Sequence, residues 1–363
     1  MKKLVNLSII ALVIAILGMS EASAQKKDAP RKYVDASTLT IINKAQDDGM
    51  AFKRLDAETF SAPKSLENSS TGIAILFRTD SRFIEARWTT SSKKLGNNMT
   101  PIFHSGLDLY IRENGEWLFA GVGRPKINST EHKYIIVNRM ADGMKECMLY
   151  LPMFNCVNEL ELGVSPDAVI EPIPSPFKYK IMVVGSSITH GASASRPGGA
   201  YVARMGRALN AETPNIGLSG RCKLDDYFAN IVCGSKADAY IFDTFSNSTA
   251  KQIDERLYNF VKRITEAHPG KPMIFLQTIK RDIGHFNLGS RKRNDDQREA
   301  AVKGMARVCK EFKNVYFINP GLYSGEDLEG TIDGTHLNDL GVQRTLDNIL
   351  PKIKKILKKY KIK

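Results

Sequence analysis

Tyr179-Lys-Ile-Met-Val-Val-Gly185-Ser186-Ser187-Ile188-Thr189-His190 is the stretch on which the fold turns. Ile181 to Val184 form an unbroken apolar run, as in a strand covered on both faces. The run stops at Gly185 and two serines, residues suited to a tight turn into a helix. Downstream the pattern repeats. Strands are expected over 179–184, 215–218, 237–242, 273–276 and 315–318, and helices over 201–209, 253–267, 296–312 and 340–360. Alternating strand and helix predict a parallel sheet with helices on both faces.

Upstream the pattern changes. Short β-rich segments over 73–78, 83–89, 107–112, 116–120, 134–138 and 148–152 are separated by turn residues, with no amphipathic helix between them. Asn114-Gly115 is a hairpin signal, because both positions tolerate positive φ. An antiparallel sandwich of jelly-roll type is expected here. Ile170-Glu-Pro172-Ile-Pro174-Ser-Pro176 then breaks the pattern, since each proline removes a donor and extends its predecessor. The expected organisation is a signal peptide over 1–24, the sandwich over 25–170, a Pro-rich linker over 171–178 and the α/β domain over 179–363.

The signal peptide is read from Lys2 and Lys3, the apolar run 9–17, and Ala22-Ser23-Ala24 before Gln25. That run falls short of the ~20 residues that span a bilayer, and no Cys follows it to carry a lipoprotein anchor. The expectation is a bacterial protein that is exported, periplasmic or secreted, without stable membrane insertion after cleavage. Its 363 residues favour two domains over one, and a hydrophobic fraction of 42% excludes disordered and collagen-like classes. Five cysteines, at 147, 156, 222, 233 and 309, leave at least one unpaired in a monomer. Export would permit Cys147–Cys156 or Cys222–Cys233 disulfides, with buried free thiols as the equal alternative. The net charge of +13 is concentrated in the lysine-rich run 352–363, where Ile353, Ile356, Leu357 and Tyr360 keep helical spacing. The lysines therefore read as the wet face of a last helix, and no nucleic-acid partner is expected.

The chemistry is expected at the carboxyl ends of the parallel strands. Ser187 stands in the first strand-to-helix turn, beside helix N-terminal amides, which suits a nucleophile whose attack creates an oxyanion. A serine there is also a common helix N-cap. Asp333-Gly-Thr-His336 follows the last strand; Asp and His at this spacing can share a hydrogen bond that orients the imidazole. Alone, the same pattern fits a capping aspartate and a solvated histidine. In Asn215-Ile-Gly217-Leu-Ser219-Gly220, Gly220 offers an unobstructed N–H, and in Asp243-Thr-Phe-Ser-Asn247, Asn247 offers a side-chain amide. Gly and Asn are equally ordinary turn residues.

Four such elements in this order resemble the SGNH or GDSL hydrolase superfamily, whose Ser, Gly, Asn and His blocks are matched by Ser187, Gly220, Asn247 and His336. Two departures are visible: Ser186 stands where the family commonly has Asp, and Asp-Thr-Phe-Ser-Asn replaces Gly-x-Asn-Asp. The string from Gly185 to Tyr201 is similar to one branch of that superfamily, in which a β-sandwich with a G-x-D-L-Y motif comes first. Gly106-Leu-Asp108-Leu-Tyr110 matches that motif. The resemblance implies a flavodoxin-like SGNH hydrolase domain behind a jelly-roll-like sandwich, and a serine esterase of the kind found among carbohydrate esterases. It implies a Ser187, His336, Asp333 triad, an oxyanion hole from Ser187, Gly220 and Asn247, and no metal or organic cofactor. The expected substrate is a small-molecule or polysaccharide ester, an acetyl group on a glycan being preferred. An acyltransferase on the same fold and a non-catalytic glycan-binding protein are the alternatives. Arg196, Asp108 and Tyr110 either lie near the site or hold the domain interface, the second being preferred.

Overall fold

The computed structural model describes residues 30–46 and 50–362, so the expected signal peptide lies outside the described residues. Ten strands build the N-terminal region: β1 (Lys32–Asp35), β2 (Thr40–Ile42), β3 (Ala74–Thr79), β4 (Ile84–Thr90), β5 (Leu107–Glu113), β6 (Glu116–Gly123), β7 (Glu131–Val137), β8 (Lys145–Tyr150), β9 (Val157–Val164) and β10 (Ile170–Pro172). They form two antiparallel sheets, ordered β1-β9-β4-β7 and β10-β3-β8-β5-β6, with β2 also paired to β3. Ile84, Ala86 and Trp88 on β4 and Leu160 and Leu162 on β9 meet Ile75, Phe77, Leu109 and Leu149 from the facing sheet. Period-two alternation places one face of each strand in this core. Asn114 and Gly115 take φ of 51° and 85° at the β5–β6 hairpin, as the turn requires.

Four of these strands lie outside the sequence expectation. Two of them, β1 and β2, are too short to show a period, and the alternation in β9 is broken by Gly163. The last, β10, contains Pro172, opposite Phe77 at the sheet edge, where a missing N–H donor costs no ladder bond. The prolines therefore begin inside the sandwich.

Six parallel strands build the C-terminal domain: β11 (Tyr179–Gly185), β12 (Ala211–Glu212), β13 (Asn215–Gly217), β14 (Ala239–Asp243), β15 (Met273–Leu276) and β16 (Val315–Ile318). The order is β12-β11-β14-β15-β16, with β13 beside β11 as well. The helices are α1 (Lys64–Glu67), α2 (Pro101–Ser105), α3 (Ser187–His190), α4 (Tyr201–Leu209), α5 (Asp226–Gly234), α6 (Ala250–Ala267), α7 (Leu288–Glu311) and α8 (Asp339–Lys359). Met182, Val184, Tyr240, Phe242 and Phe275 face a core with α5, α6 and α7. Their neighbours Ile181, Val183, Ile241 and Ile274 face α4 and α8 on the other side. Both faces are covered, which is why the strands read as continuous apolar runs. The first two turns of α7 escape the periodicity because they are almost wholly polar; the Asn287 side chain caps them by accepting the Ser290 N–H.

Chain order and packing differ in one respect. The outer face of the six-stranded sandwich sheet, with Leu76, Met148 and Tyr150, packs against Ala203 of α4. Ala45, Leu55, Ala57, Phe60 and Leu66, which precede β3, are built into the core of the parallel sheet. Arg54 is the pin of that segment. Its guanidinium is fully buried and donates to the carbonyls of Leu66, Asn215 and Gly217 and to Ser69 Oγ, at 3.1, 2.9, 2.8 and 2.7 Å. Burial pushes its pKa down to about 9. All five cysteines are free, so the disulfide alternative does not hold; Cys147, Cys156 and Cys222 are buried. No helix among the described residues is long and apolar enough to cross a membrane.

Candidate active site

β12 and β13 lie on one side of β11 and β14 on the other, so the crevice of the parallel sheet opens above the end of β11. Gly185, Gly217 and Asp243 stand level there, in register across the strands. Gly217 has no room for a side chain: a Cβ would sit 2.1 Å from the His190 N of α3. A Cβ on Gly185 would lie 2.1 Å from Thr189 Oγ1. These two glycines let a four-residue helix rest directly on the strand ends.

Ser187 is the first residue of that helix, and Ser186, not Ser187, is its N-cap, accepting the Ile188 N–H. The Ser187 hydroxyl is therefore spared from capping. It lies 2.9 Å from His336 Nε2, and His336 Nδ1 lies 2.7 Å from Asp333 Oδ2. Asp333 Oδ1 accepts the N–H groups of Thr335 and His336 at 3.1 and 2.9 Å. Gly334, at φ 79°, completes this turn; a Cβ would strike Ile283, whose N–H binds the Gly334 carbonyl at 3.0 Å. Ile283 and Ile332 leave an exposed apolar rim on either side.

Burial pushes the Asp333 carboxyl up, but hydrogen bonds from the His336 ring, the His336 N–H and Asn98 outweigh it and hold its pKa at about 2. A carboxylate depressed below its unfolded value contributes stability that is present above that value and is lost as pH falls through about 2. Asp333 thus remains ionised across the neutral range. With Nδ1–H donated to Asp333, His336 Nε2 is free to accept the Ser187 proton.

The remaining expected residues are placed unevenly. Gly220 forms an exposed turn beyond β13 at φ 71°, with nothing within 4 Å of the place a Cβ would take. Leu218 N–H bonds the Gly185 carbonyl at 3.0 Å, which brings this turn alongside the Ser187 turn. Asn247 lies past β14 and donates its amide to the Arg221 carbonyl at 2.6 Å. That bond ties the Asn247 loop to the Gly220 turn and commits one of its two N–H groups. Asp108 is fully buried and receives the Arg196 guanidinium at 2.8 Å and the Gly198 N–H at 2.7 Å. Tyr110 Oη donates to the Gly198 carbonyl at 3.2 Å and accepts from Arg196. The G-x-D-L-Y motif therefore clamps the 196–199 turn of the other domain.

Two site-supporting residues lie outside the sequence expectation. Asp243, fully buried at the end of β14, accepts Ser186 Oγ–H at 2.5 Å and Thr189 Oγ–H at 3.2 Å on one oxygen and Ser246 Oγ–H at 2.5 Å on the other. Burial pushes its carboxyl above the usual range against these hydrogen bonds. One departure from the family pattern, Ser186, is thus bonded across the strand gap to the first residue of the other, Asp243. Asp243→Asn is expected to lower kcat by on the order of 10-fold to 100-fold by misplacing the Ser187 turn. Ser186→Asp combined with Asp243→Asn should recover part of that loss; initial rates on an activated acetyl ester, with circular dichroism for folding, check both.

The second is His190, buried and stacked on Phe154 with centroids 3.8 Å apart. Its Nε2 lies 2.7 Å from the Met153 carbonyl, which can only accept, so Nε2 carries the proton. Burial pushes its pKa well down, and the neutral ring joins the sandwich to α3. Among the described residues no group of three His, Cys, Asp or Glu is placed to hold a metal ion. A concavity of about 1310 Å³ lies on the sandwich around Arg87, Lys133 and Glu161, and Ser187, Asp333 and His336 do not line it.

The family described as GDSL-like lipase/acylhydrolase matches residues 178–354, and the one described as the N-terminus of Esterase_SGNH_hydro-type, GxDLY, matches residues 31–170. A GDSL-like lipase from Bacteroides ovatus is 41% identical, with a TM-score of 0.87 over 91% of this chain and 98% of that one. The salicylyl-acyltransferase SsfX3 from a tetracycline biosynthetic pathway is 21% identical, with a TM-score of 0.70 over 90% and 97% of the two chains. A family two carbohydrate esterase from Cellvibrio japonicus is 13% identical, with a TM-score of 0.60 over 91% and 98%. At those identities the last two share the fold alone. A search of curated proteins gives no match.

Proposed function

The chain belongs to the GDSL-like lipase/acylhydrolase family, in the branch with the GxDLY N-terminal region, and on that premise we propose that it is an exported serine esterase removing an acyl group, acetyl above all, from a carbohydrate. The observation that carries this reading is the relay of 2.9 and 2.7 Å from Ser187 through His336 to Asp333. His336 takes the Ser187 proton as Oγ attacks the ester carbonyl; Asp333 stays ionised and steadies the imidazolium. The N–H groups of Ser187 and Gly220 and the second amide N–H of Asn247 receive the oxyanion. His336 then protonates the departing alcohol, and water repeats the sequence on the acyl-enzyme to release the acid. Ser186, as the cap, and Asp243, beneath it, hold the attacking residue without joining the chemistry. The carbohydrate part of the reading is supported by the shared fold of the family two carbohydrate esterase and by an open site. Ser187 itself is buried, at 7% exposed, and the opening lies on the side of the His336 and Asp333 side chains, which are 22% and 34% exposed.

The test is acetate release from a panel of acetylated polysaccharides by the wild type and Ser187→Ala. Release by the wild type alone supports the reading; equal release by both sinks it. Transfer to an alcohol in place of water is the second reading, supported by the shared fold of the acyltransferase. A competing alcohol separates the two, since a transferase yields mainly new ester and a hydrolase mainly free acid.

A further inference from the structure

The sandwich loop between β4 and α2, residues 91–100, reaches the turn that carries His336. Asn98 Nδ2 donates to Asp333 Oδ2 at 3.0 Å, the same oxygen that receives His336 Nδ1. The loop is itself anchored to the other domain: Ser193 Oγ donates to the Asn98 carbonyl at 2.9 Å, and Thr100 Oγ1 to the Ser195 carbonyl at 2.7 Å. Thr100 also caps α2 by accepting the Phe103 N–H at 3.0 Å, which stiffens the end of the loop. Asp333 thus has four donors. Three come from its own turn, and the fourth crosses from the sandwich.

We propose that Asn98 is a positioning residue of the active site, by which the N-terminal sandwich holds the Asp333 carboxylate, and through it His336, in line with Ser187. The proposal rests on the triad reading above. A carboxylate on a surface turn can rotate and exchange its oxygens. Backbone N–H groups on Oδ1 oppose that rotation from one side, and the Asn98 amide opposes it from the other. An amide does so without bringing a charge or a titration of its own. The charged and titratable groups that flank Ile283 are Arg281, Asp282 and His285, and Asp339 stands at the start of α8, whose other charged residues begin at Arg344. Asp282 accepts from Ser324 and Thr331 at 2.9 and 2.7 Å, and Asp339 accepts the Ser195 N–H at 3.0 Å. Lys93 and Lys94 on the loop itself are exposed.

The experiment compares full-length wild type, Asn98→Ala, Asn98→Asp and Ser187→Ala on an activated acetyl ester, with kcat, KM and the pH profile of kcat/KM. Asn98→Ala should lower kcat by about 10-fold with KM little changed. Asn98→Asp sets a second carboxylate against Asp333, which favours the imidazolium, so the acid limb of the profile should move up by about one pH unit. A contact that served only the fold would lower the melting temperature without separating kcat from KM in Asn98→Ala. If Ser187→Ala is inactive while both Asn98 variants keep the wild-type kcat and acid limb, the proposal is overturned and the triad reading stands. If Asn98→Asp loses activity with an unmoved limb, the proposal is likewise overturned. If Ser187→Ala remains active, the triad reading itself falls.

Discussion

Ser187→Ala is expected to lower kcat by about 10⁶-fold while leaving the protein as stable as the wild type. The loss follows from the division of labour at the end of β11. Without Oγ there is no acyl-enzyme, and what remains is the rate the oxyanion donors give to water, about 10³-fold to 10⁴-fold over the uncatalysed reaction. Stability should be unaffected because Ser186 makes the N-cap and the Asp243 hydrogen bond, and neither involves residue 187. His336 keeps its 2.7 Å bond to Asp333 in the variant. Single-turnover rates on an activated acetyl ester and a thermal melt measure the two halves. A variant within about 10-fold of the wild-type kcat would contradict the assigned nucleophile.

Arg54→Leu is expected to cost about 3–5 kcal/mol of stability, the largest single effect foreseen away from the reacting atoms. Arg54 is enclosed by neutral acceptors, so its removal leaves the carbonyls of Leu66, Asn215 and Gly217 buried without their donor. Two of these belong to β13, the strand that leads into the Gly220 turn. The melting temperature should fall by roughly 5–10 °C. Lys should rescue poorly, because an ammonium cannot span acceptors on two separate segments as a planar fork does. Melting within ~2 °C of the wild type would show that water or rearrangement replaces the guanidinium.

Much of this protein is legible from local pattern. The bounds expected for 201–209, 273–276 and 315–318 coincide with α4, β15 and β16, because buried parallel strands and one-sided helices leave strong periodicities. Pattern fails where a segment is short, polar or borrowed by another layer. Residues 43–69 carry no regular period, yet Leu55, Phe60 and Leu66 finish the core of a sheet more than a hundred residues away in the chain. The start of α7 and the strand β10 are hidden for the opposite reasons, a helix without an apolar face and a strand with a proline.

The candidate site divides along the same line. The order of Ser187, Gly220, Asn247 and His336 along the chain, each beyond a strand, is a property of sequence, because a parallel sheet delivers every strand end to one edge. So is the turn in which Asp333 meets His336, since residues three apart on a tight turn are neighbours by local geometry. Distances between segments are not local. Only the folded chain decides that Asn247 binds the Arg221 carbonyl, that Asp243 stands under Ser186, and that Asn98 reaches Asp333 across 235 positions. Those contacts depend on how two sheets and their loops are brought together, and nothing in the spacing of a single segment encodes that meeting.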